Sequence, residues 1–393
     1  MQEQRLRNTT RKMWNELIPL ICCVFLLRGT LSIAADLTTY ETPYYTIYTD
    51  LPQTDVREAA MRMTRMAEEY ANRTRDFAGA IDKRMPVYLY SNPDDFYATG
   101  APKTAAGYYN GRELVVLAKN ADARTWHTVQ HEGFHQFADQ VIRGDLPMWI
   151  NEGLAEYFGE ALFTGDGFVS GVIPQWRLQR IRETLTADQF KPASQLMSLT
   201  RDQWNSELAI INYDQGWSMV QFLAHGEQGK YQKALGSFIG ALGQGTGWQQ
   251  AWNDAFGSTE GFEQDWKQYW TKLPDNPTID LYTQANVSTL TSFLGRAHLQ
   301  KQTFADFATF AQSARDEQLK IATTDWLPPG LLKTAMEQTD VLTRAGYVYS
   351  IETPRGENLP QIKCVMKQGQ TFVGRFVTRG GKIESVNVQS FKR

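Results

Sequence analysis

Residues 125–140 of the chain have the sequence TWHTVQHEGFHQFADQ. His127, His131 and His135 are spaced four residues apart in a chain with only five histidines, and Glu132 follows the second of them. In an α-helix, residues four apart share a face, with Cβ atoms about 5–6 Å apart. His131 and His135 are therefore predicted to bind one metal ion. Glu132 is rotated by about 100° from His131, which suits a general base better than a ligand. The alternative is an exposed helix with incidental histidines.

The next segment, LPMWINEGLAEYFGE at residues 146–160, supplies acidic residues. A zinc ion held by two imidazoles needs a third protein ligand and keeps a fourth position for water. Glu152 is placed for this on a second predicted helix, beyond the turn RGDLP. Glu156, one helical turn later, is placed to accept a hydrogen bond from the far nitrogen of a ligand histidine. A solvated helix face is the alternative, but the flanking apolar residues predict burial, and a buried carboxylate needs a partner or a metal.

These two motifs together, HEGFH followed by WINEGLAEYF, resemble the gluzincin branch of zinc metallopeptidases, and in particular the peptidase-MA-like families of exported bacterial proteins. The resemblance is strong over residues 125–158 and weak over 36–273. It implies Zn²⁺ with ligands His131, His135 and Glu152, the base Glu132, and a peptide or protein substrate. The spacing from His135 to Glu152 is shorter than in the aminopeptidases, and no G-x-M-E-N motif precedes it. An aminopeptidase is therefore not supported.

Other candidate residues follow with weaker signals. Tyr213, in the segment INYDQGWSMVQFLAHG, matches a helix of those families in which a tyrosine stabilises the oxyanion, although a core tyrosine is an equal alternative. His225 is expected at the surface and His127 beside the site, and His298 is given no role. The strand at residues 112–118 is a candidate for the edge on which an extended peptide pairs, with an ordinary strand of the sheet as the alternative.

The fold class predicted from hydrophobic patterning is α+β. Strands are predicted at 44–49 and 85–91, a helix at 54–77, and a hairpin at 106–118 with its turn at Asn110–Gly111. From 121 to 273 the chain is predicted mostly helical, with breaks at GDLP, TGDGFVSGVIP and GQGTG. The resemblance implies a thermolysin-like core in which a small mixed sheet and an active-site helix precede a mostly helical subdomain.

The N-terminus has the order of a secretory signal: a basic start, the apolar run LIPLICCVFLL and the small residues SIAAD. We expect cleavage after Ala34 or Ala35 and a secreted or periplasmic protein, with an uncleaved membrane anchor as the alternative. Only Cys364 then remains, so no internal disulfide is expected. The formal net charge of −3 predicts no nucleic-acid partner.

The predicted domains are a signal peptide at 1–35, a zinc metallopeptidase domain at 36–275, a helical connector at 276–340 with a helix at 304–323, and a small β module at 341–393. Two other functions remain open from the sequence. One is a scaffold protein of the cell envelope in which zinc is structural, and the other is a zinc hydrolase of non-peptide amides such as cell-wall crosslinks.

Overall fold

A five-stranded mixed sheet forms the N-terminal part of the computed structural model, which describes residues 37–205, 209–367 and 369–392. Its spatial order is β1-β2-β3-β5-β4, with β2, β3 and β5 parallel and the outer strands antiparallel to their neighbours. The strands are β1 (Thr38–Glu41), β2 (Tyr45–Thr49), β3 (Met85–Tyr90), β4 (Gly107–Tyr109) and β5 (Leu114–Leu117). The strands predicted at 44–49 and 85–91 are confirmed, and the signal-peptide prediction lies outside the described residues.

The hairpin of β4 and β5 is confirmed, but its turn lies one residue later than predicted. The backbone N–H of Asn110 donates to the carbonyl of Glu113, which puts Gly111 and Arg112 at the turn's centre. Gly111 has φ +86°, and the Asn110 side chain accepts from the N–H groups of Arg112 and Glu113. Asparagine therefore holds the turn from its first position, and glycine takes the left-handed conformation.

The edge of this sheet beside the histidine helix is β4, so the prediction that residues 112–118 offer the edge was wrong. β5 pairs with β3 on one side and with β4 on the other, because the hairpin folds β4 back along it. Two helices accompany the sheet, α1 (Gln53–Thr74) and the short α2 (Pro93–Ala98). The helix predicted at 54–77 is α1, which ends three residues earlier.

The histidine stretch forms α3 (Ala123–Phe137), and the second motif forms α4 (Met148–Gly159). The Asp122 side chain caps α3 by accepting from the N–H of Thr125 at 2.9 Å. A π-helical turn, Ala138–Ile142, follows α3, and Arg143 and Gly144 both have positive φ. The chain therefore turns at the predicted GDLP break and brings α4 back against α3.

Helices dominate the chain from α4 to residue 272, as predicted. They surround a core rich in tryptophan in which Trp149, Trp217, Trp252, Trp266 and Trp270 have 0–1% of their surface exposed. The elements are β6 (Leu162–Phe163), β7 (Phe168–Val169), α5 (Gln175–Thr186), α6 (Ala193–Met197), α7 (Arg201–Trp204), α8 (Ala209–His225), α9 (Gln232–Gly243), α10 (Trp248–Phe256) and α11 (Thr259–Lys272).

The C-terminal part combines three helices with a four-stranded antiparallel sheet of order β11-β10-β9-β8. Its elements are α12 (Ile279–Leu299), α13 (Phe307–Arg315), α14 (Pro329–Arg344), β8 (Val348–Glu352), β9 (Gln361–Val365), β10 (Thr371–Arg379) and β11 (Lys382–Phe391). The helix predicted at 304–323 is shorter, because Asp306 caps its start and Glu317 (φ +55°) lies beyond its end. Residues of α12, α14 and the sheet share one apolar cluster. Within the described ranges no helix is both long and apolar enough to cross a membrane.

Candidate metal centre

Three side chains from α3 and α4 converge at one point inside the protein. Their residues are almost fully buried, with 1% of His131, 4% of His135 and 1% of Glu152 exposed. The Nε2 atoms of the two histidines are 3.2 Å apart, and Glu152 Oε2 lies 3.3 Å from each of them. A tetrahedral zinc site with bonds of about 2.0–2.1 Å has ligand atoms about 3.3 Å apart. The described side chains therefore already have the spacing of ligands around one ion.

The opposite ring nitrogens of the two histidines are both held by oxygen acceptors. His131 Nδ1 lies 3.1 Å from Glu156 Oε1, and His135 Nδ1 lies 3.0 Å from Asn151 Oδ1. Since a carboxylate and an amide oxygen only accept, each Nδ1 carries the proton and each Nε2 presents a lone pair. With these tautomers, the two Nε2 atoms and Glu152 Oε2 are three acceptors that face one another. A cation at their centre satisfies all three, so the residues fit a metal ion.

The electrostatics of this centre keep its carboxylates ionised. Burial raises the pKa of Glu152, but positive charge beside it, which His135 and His131 carry when they are protonated, outweighs burial and lowers that pKa to about 2, and a cation held at the same point acts in the same direction. Burial likewise raises the pKa of Glu156, and Arg177 and the neighbouring histidines bring it well below its ordinary value. Ionised carboxylates are what a divalent cation requires of its ligands and of the groups that orient them.

Glu132 is fully buried next to the first ligand in sequence, and its two carboxylate oxygens have different surroundings. Oε2 accepts a hydrogen bond of 2.9 Å from the backbone N–H of Tyr109 on the edge strand β4. Oε1 has no hydrogen-bond partner among the described residues. The Tyr109 hydroxyl donates to Asp139 at 2.7 Å, so this residue also connects β4 to the π-helical turn that follows α3. One oxygen of Glu132 is thus fixed and the other is available to a ligand or a proton.

Tyr213 lies in the second turn of α8 with 7% of its surface exposed. Its ring centroid is 6.4 Å from that of His131 and 5.5 Å from that of Trp204. The structure therefore brings Tyr213 to the ring of a candidate ligand, and its assignment as oxyanion donor stays a prediction.

The third histidine of the stretch, His127, belongs to a second group of metal-binding residue types with Glu156 and Glu160. Its Nε2 is 3.9 Å from a Glu156 oxygen and 3.8 Å from a Glu160 oxygen. Arg177 Nη1 already lies 2.6 Å and 2.9 Å from those same two oxygens. Because a guanidinium stands where an ion would bind, this group is an ion-pair cluster and not a second metal centre.

The prediction that His225 lies at the surface was wrong. Its Nε2 is 3.0 Å from the Tyr157 hydroxyl, the two rings stack at 5.7 Å, and the residue is only partly exposed. Burial, with a contribution from the charge of Arg73, lowers the pKa of His225 to about 4. It is therefore a neutral acceptor for the Tyr157 hydroxyl. His298, which was given no role, lies 6.1 Å from the Phe376 ring in the C-terminal part.

Two residues that contact the site were not singled out from the sequence. Asn151 directly precedes Glu152 in the NEG motif, so its position beside a third ligand was the available signal. Arg177 lies 21 residues after its partner Glu156, in α5, where nothing in the sequence QWRLQRIRE distinguishes it from its neighbours Arg180 and Arg182. Its contacts with the acidic cluster depend on the packing of α5 against α8 and α11.

One protein-family model matches the chain, over residues 125–240, and it is described as a protein of unknown function (DUF1570). The match begins in the first turn of α3, includes both motifs and ends in α9. No curated protein matches the chain.

Proposed function

We propose that the protein is an exported zinc-dependent metallopeptidase. The observation that carries the proposal is the buried triangle of His131, His135 and Glu152, whose ligand atoms are 3.2–3.3 Å apart. Beside it lies Glu132, one oxygen of which has no hydrogen-bond partner in the part of the chain that the structure describes. Two imidazoles and one carboxylate form the ligand set of catalytic zinc sites that keep one position open. A purely structural zinc site is usually closed by four protein ligands and has no use for Glu132.

The gluzincin resemblance supports the same assignment and suggests a thermolysin-like core. The order of elements agrees with that expectation, since a mixed sheet ending in the edge strand β4 precedes α3, and α4 follows after a turn. The export signal expected at residues 1–35 is part of this proposal.

Zinc, when bound, supplies a Lewis acid that polarises a carbonyl and lowers the pKa of water toward about 7. The protein's own residues do the rest. Glu132 Oε1 takes the proton from the attacking water and delivers it to the leaving amine, while the Tyr109 N–H holds Oε2 in place. Glu156 and Asn151 hold the protons on His131 Nδ1 and His135 Nδ1, which keeps both Nε2 lone pairs directed at the centre.

The peptide substrate pairs with β4 in this proposal. In an antiparallel pair the backbone groups of alternate residues face the partner strand. Asn110 bonds back to Glu113, and Leu117 bonds to Ala106, so the backbone groups of residues 107 and 109 face away from β5. The Tyr109 N–H donates to Glu132, so a peptide paired with β4 would lie beside the proposed general base. Tyr213 is proposed to donate to the oxyanion that forms at the substrate carbonyl.

The test combines metal analysis with cleavage of a peptide library by the wild-type protein and by Glu132→Gln. We expect one zinc per chain in both proteins and cleavage by the wild type alone, reduced at least about 100-fold in the variant because general base catalysis is lost. His127→Gln is the matched histidine control for His131→Gln and His135→Gln, and only the latter two should lose zinc.

The outcomes separate the competing functions. Zinc binding without cleavage of any peptide favours an envelope scaffold, and cleavage of muropeptide crosslinks in place of library peptides favours an amidase. A wild-type protein that binds no zinc contradicts the proposal.

A further inference from the structure

Arg177 is a charged side chain placed deep inside the protein, with 2% of it exposed. Burying a guanidinium is costly unless several acceptors compensate its lost hydration. Three carboxylates do so here, and the guanidinium carbon also lies 4.3 Å from the centroid of the Trp217 ring. A side chain held by this many partners has one defined position.

The partners of Arg177 connect it to the metal centre through a single intermediate residue. Its Nη1 lies 2.6 Å from Glu156 Oε2 and 2.9 Å from Glu160 Oε1. The other oxygen of Glu156, Oε1, lies 3.1 Å from His131 Nδ1. Glu156 is thus held at both oxygens, by Arg177 on one side and by a candidate metal ligand on the other.

A third contact anchors Arg177 to a different helix. Its Nε is 3.2 Å from Asp214 Oδ1, and Asp214 is 2% exposed and also paired with Arg180. Asp214 directly follows Tyr213 in α8. One planar guanidinium therefore connects α4, which carries Glu152 and Glu156, with the helix that carries Tyr213, a geometry that lysine with its single ammonium cannot reproduce.

We propose that Arg177 is a positioning residue of the metal centre. It fixes the Glu156 carboxylate, which in turn fixes the orientation and tautomer of His131 and so the direction of the His131 Nε2 lone pair. The inference rests on the proposed function in one respect, namely that the ion bound at the centre is zinc. It predicts that removing Arg177 changes metal binding although the residue touches neither the ion nor the substrate.

The experiment measures zinc affinity by chelator competition, and the visible spectrum of the cobalt(II)-substituted protein, for the wild type and for Arg177→Met and Arg177→Lys. Loss of a group that orients a metal ligand typically weakens metal binding about 10–100-fold. We expect a loss in this range with a shifted cobalt spectrum for Arg177→Met, and a smaller loss for Arg177→Lys, which keeps the charge. Arg182→Met, which removes another ion-paired arginine from α5, is the matched control and should bind zinc like the wild type.

A double-mutant comparison isolates the route through Glu156. If Arg177 acts by holding Glu156, then Arg177→Met combined with Glu156→Gln should bind zinc no more weakly than Glu156→Gln alone. Circular dichroism checks that each variant is folded. Should Arg177→Met fail to fold, Asp214→Asn takes its place, because it removes one anchor of Arg177 and leaves Glu156 intact, and it should weaken zinc binding in the same direction.

The inference is overturned if folded Arg177→Met, or Asp214→Asn in its place, has the zinc affinity and the cobalt spectrum of the wild type. Additive losses of zinc affinity in the double mutant would also overturn it. If the wild type binds zinc and cleaves peptides in that case, the proposed function stands and only the role of Arg177 fails. Absence of zinc from the wild type overturns both.

Discussion

At the scale of single residues, the buried polar side chains differ in how their hydrogen bonds are satisfied. Asn151 and Glu156 each accept from a histidine Nδ1, and the Tyr157 hydroxyl donates to His225 Nε2. Burial raises the pKa of Tyr157 to about 12, so its hydroxyl keeps its proton and acts as the donor. His225 must then be neutral, which makes it a pH-dependent group beside α4.

The stability of the protein should fall as the pH decreases from about 6.5 to about 4, with a contribution from His225. Its folded pKa of about 4 lies below the ordinary 6.5, so in that interval the unfolded chain binds the proton and the folded one does not. The full contribution, about 3 kcal/mol, is present above pH 6.5 and lost by pH 4. Urea unfolding of the wild type and of His225→Gln at pH 7.5 and 5 tests this. The variant should lose less stability, and equal losses would contradict the prediction.

At the scale of elements, the centre depends on how closely α4 approaches its neighbours. Gly153 follows the candidate ligand Glu152, and a Cβ added to it would lie 2.6 Å from the carbonyl oxygen of Gly216 in α8. A Cβ on Gly216 would in turn lie 3.0 Å from the Trp149 carbonyl oxygen. Two facing glycines thus let the backbones of α4 and α8 touch, which explains the glycine of the NEG motif by packing. The sequence correctly predicted that Glu152 lies on a helix. It did not predict that Gly153 contacts Gly216, because the two glycines are 63 residues apart.

Gly153→Ala should destabilise the fold by about 1–3 kcal/mol, because backbone atoms of α8 cannot move aside as a flexible side chain can. It should also weaken zinc binding, since Glu152 moves with α4. Gly261→Ala in α11 is the matched control, because open space surrounds that position and alanine favours a helix by about 1 kcal/mol. Chemical denaturation measures the free energy of unfolding of both variants. A Gly153→Ala protein as stable as the wild type would show that α4 and α8 are not in contact through these glycines.

At the scale of the whole molecule, an ion pair connects the C-terminal part to the β6–β7 turn, which follows α4 in the chain. Arg296 of α12 makes two contacts of 2.8 Å with Asp166, in the turn between β6 and β7, and a third of 2.9 Å with Asp325. A glycine also permits close packing inside this part, since a Cβ on Gly374 of β10 would clash with Thr291 of α12. The helix at 279–299 therefore packs on the sheet and the helix at 329–344 packs against that helix, whereas the sequence had predicted a connector there. The predicted domain boundaries remain a prediction.

Removing zinc should lower the stability of the whole protein. In the proposed site the ion would join α3 to α4 and separate three acceptors that otherwise face one another, so it would bind the folded state and not the unfolded one. At a free zinc concentration about 1,000 times Kd, this stabilises the fold by about 4 kcal/mol. Thermal unfolding with zinc and with a chelator measures the effect as a shift in Tm. His127→Gln should keep the shift and His135→Gln should lose it. An equal Tm of the wild type under both conditions would contradict metal binding by the folded state.

The sequence by itself determined the parts of this protein that depend on local geometry. The i, i+4 spacing placed His131 and His135 on one face of a helix, and the apolar neighbours of Glu152 indicated a buried carboxylate. Tertiary structure alone decided that β4 and not β5 is the edge beside Glu132, that His225 is hydrogen-bonded to Tyr157, and that Arg177 holds Glu156. The physical reason is that each of these contacts joins elements distant in sequence, whose approach depends on core packing, and a local pattern carries no information about such an approach.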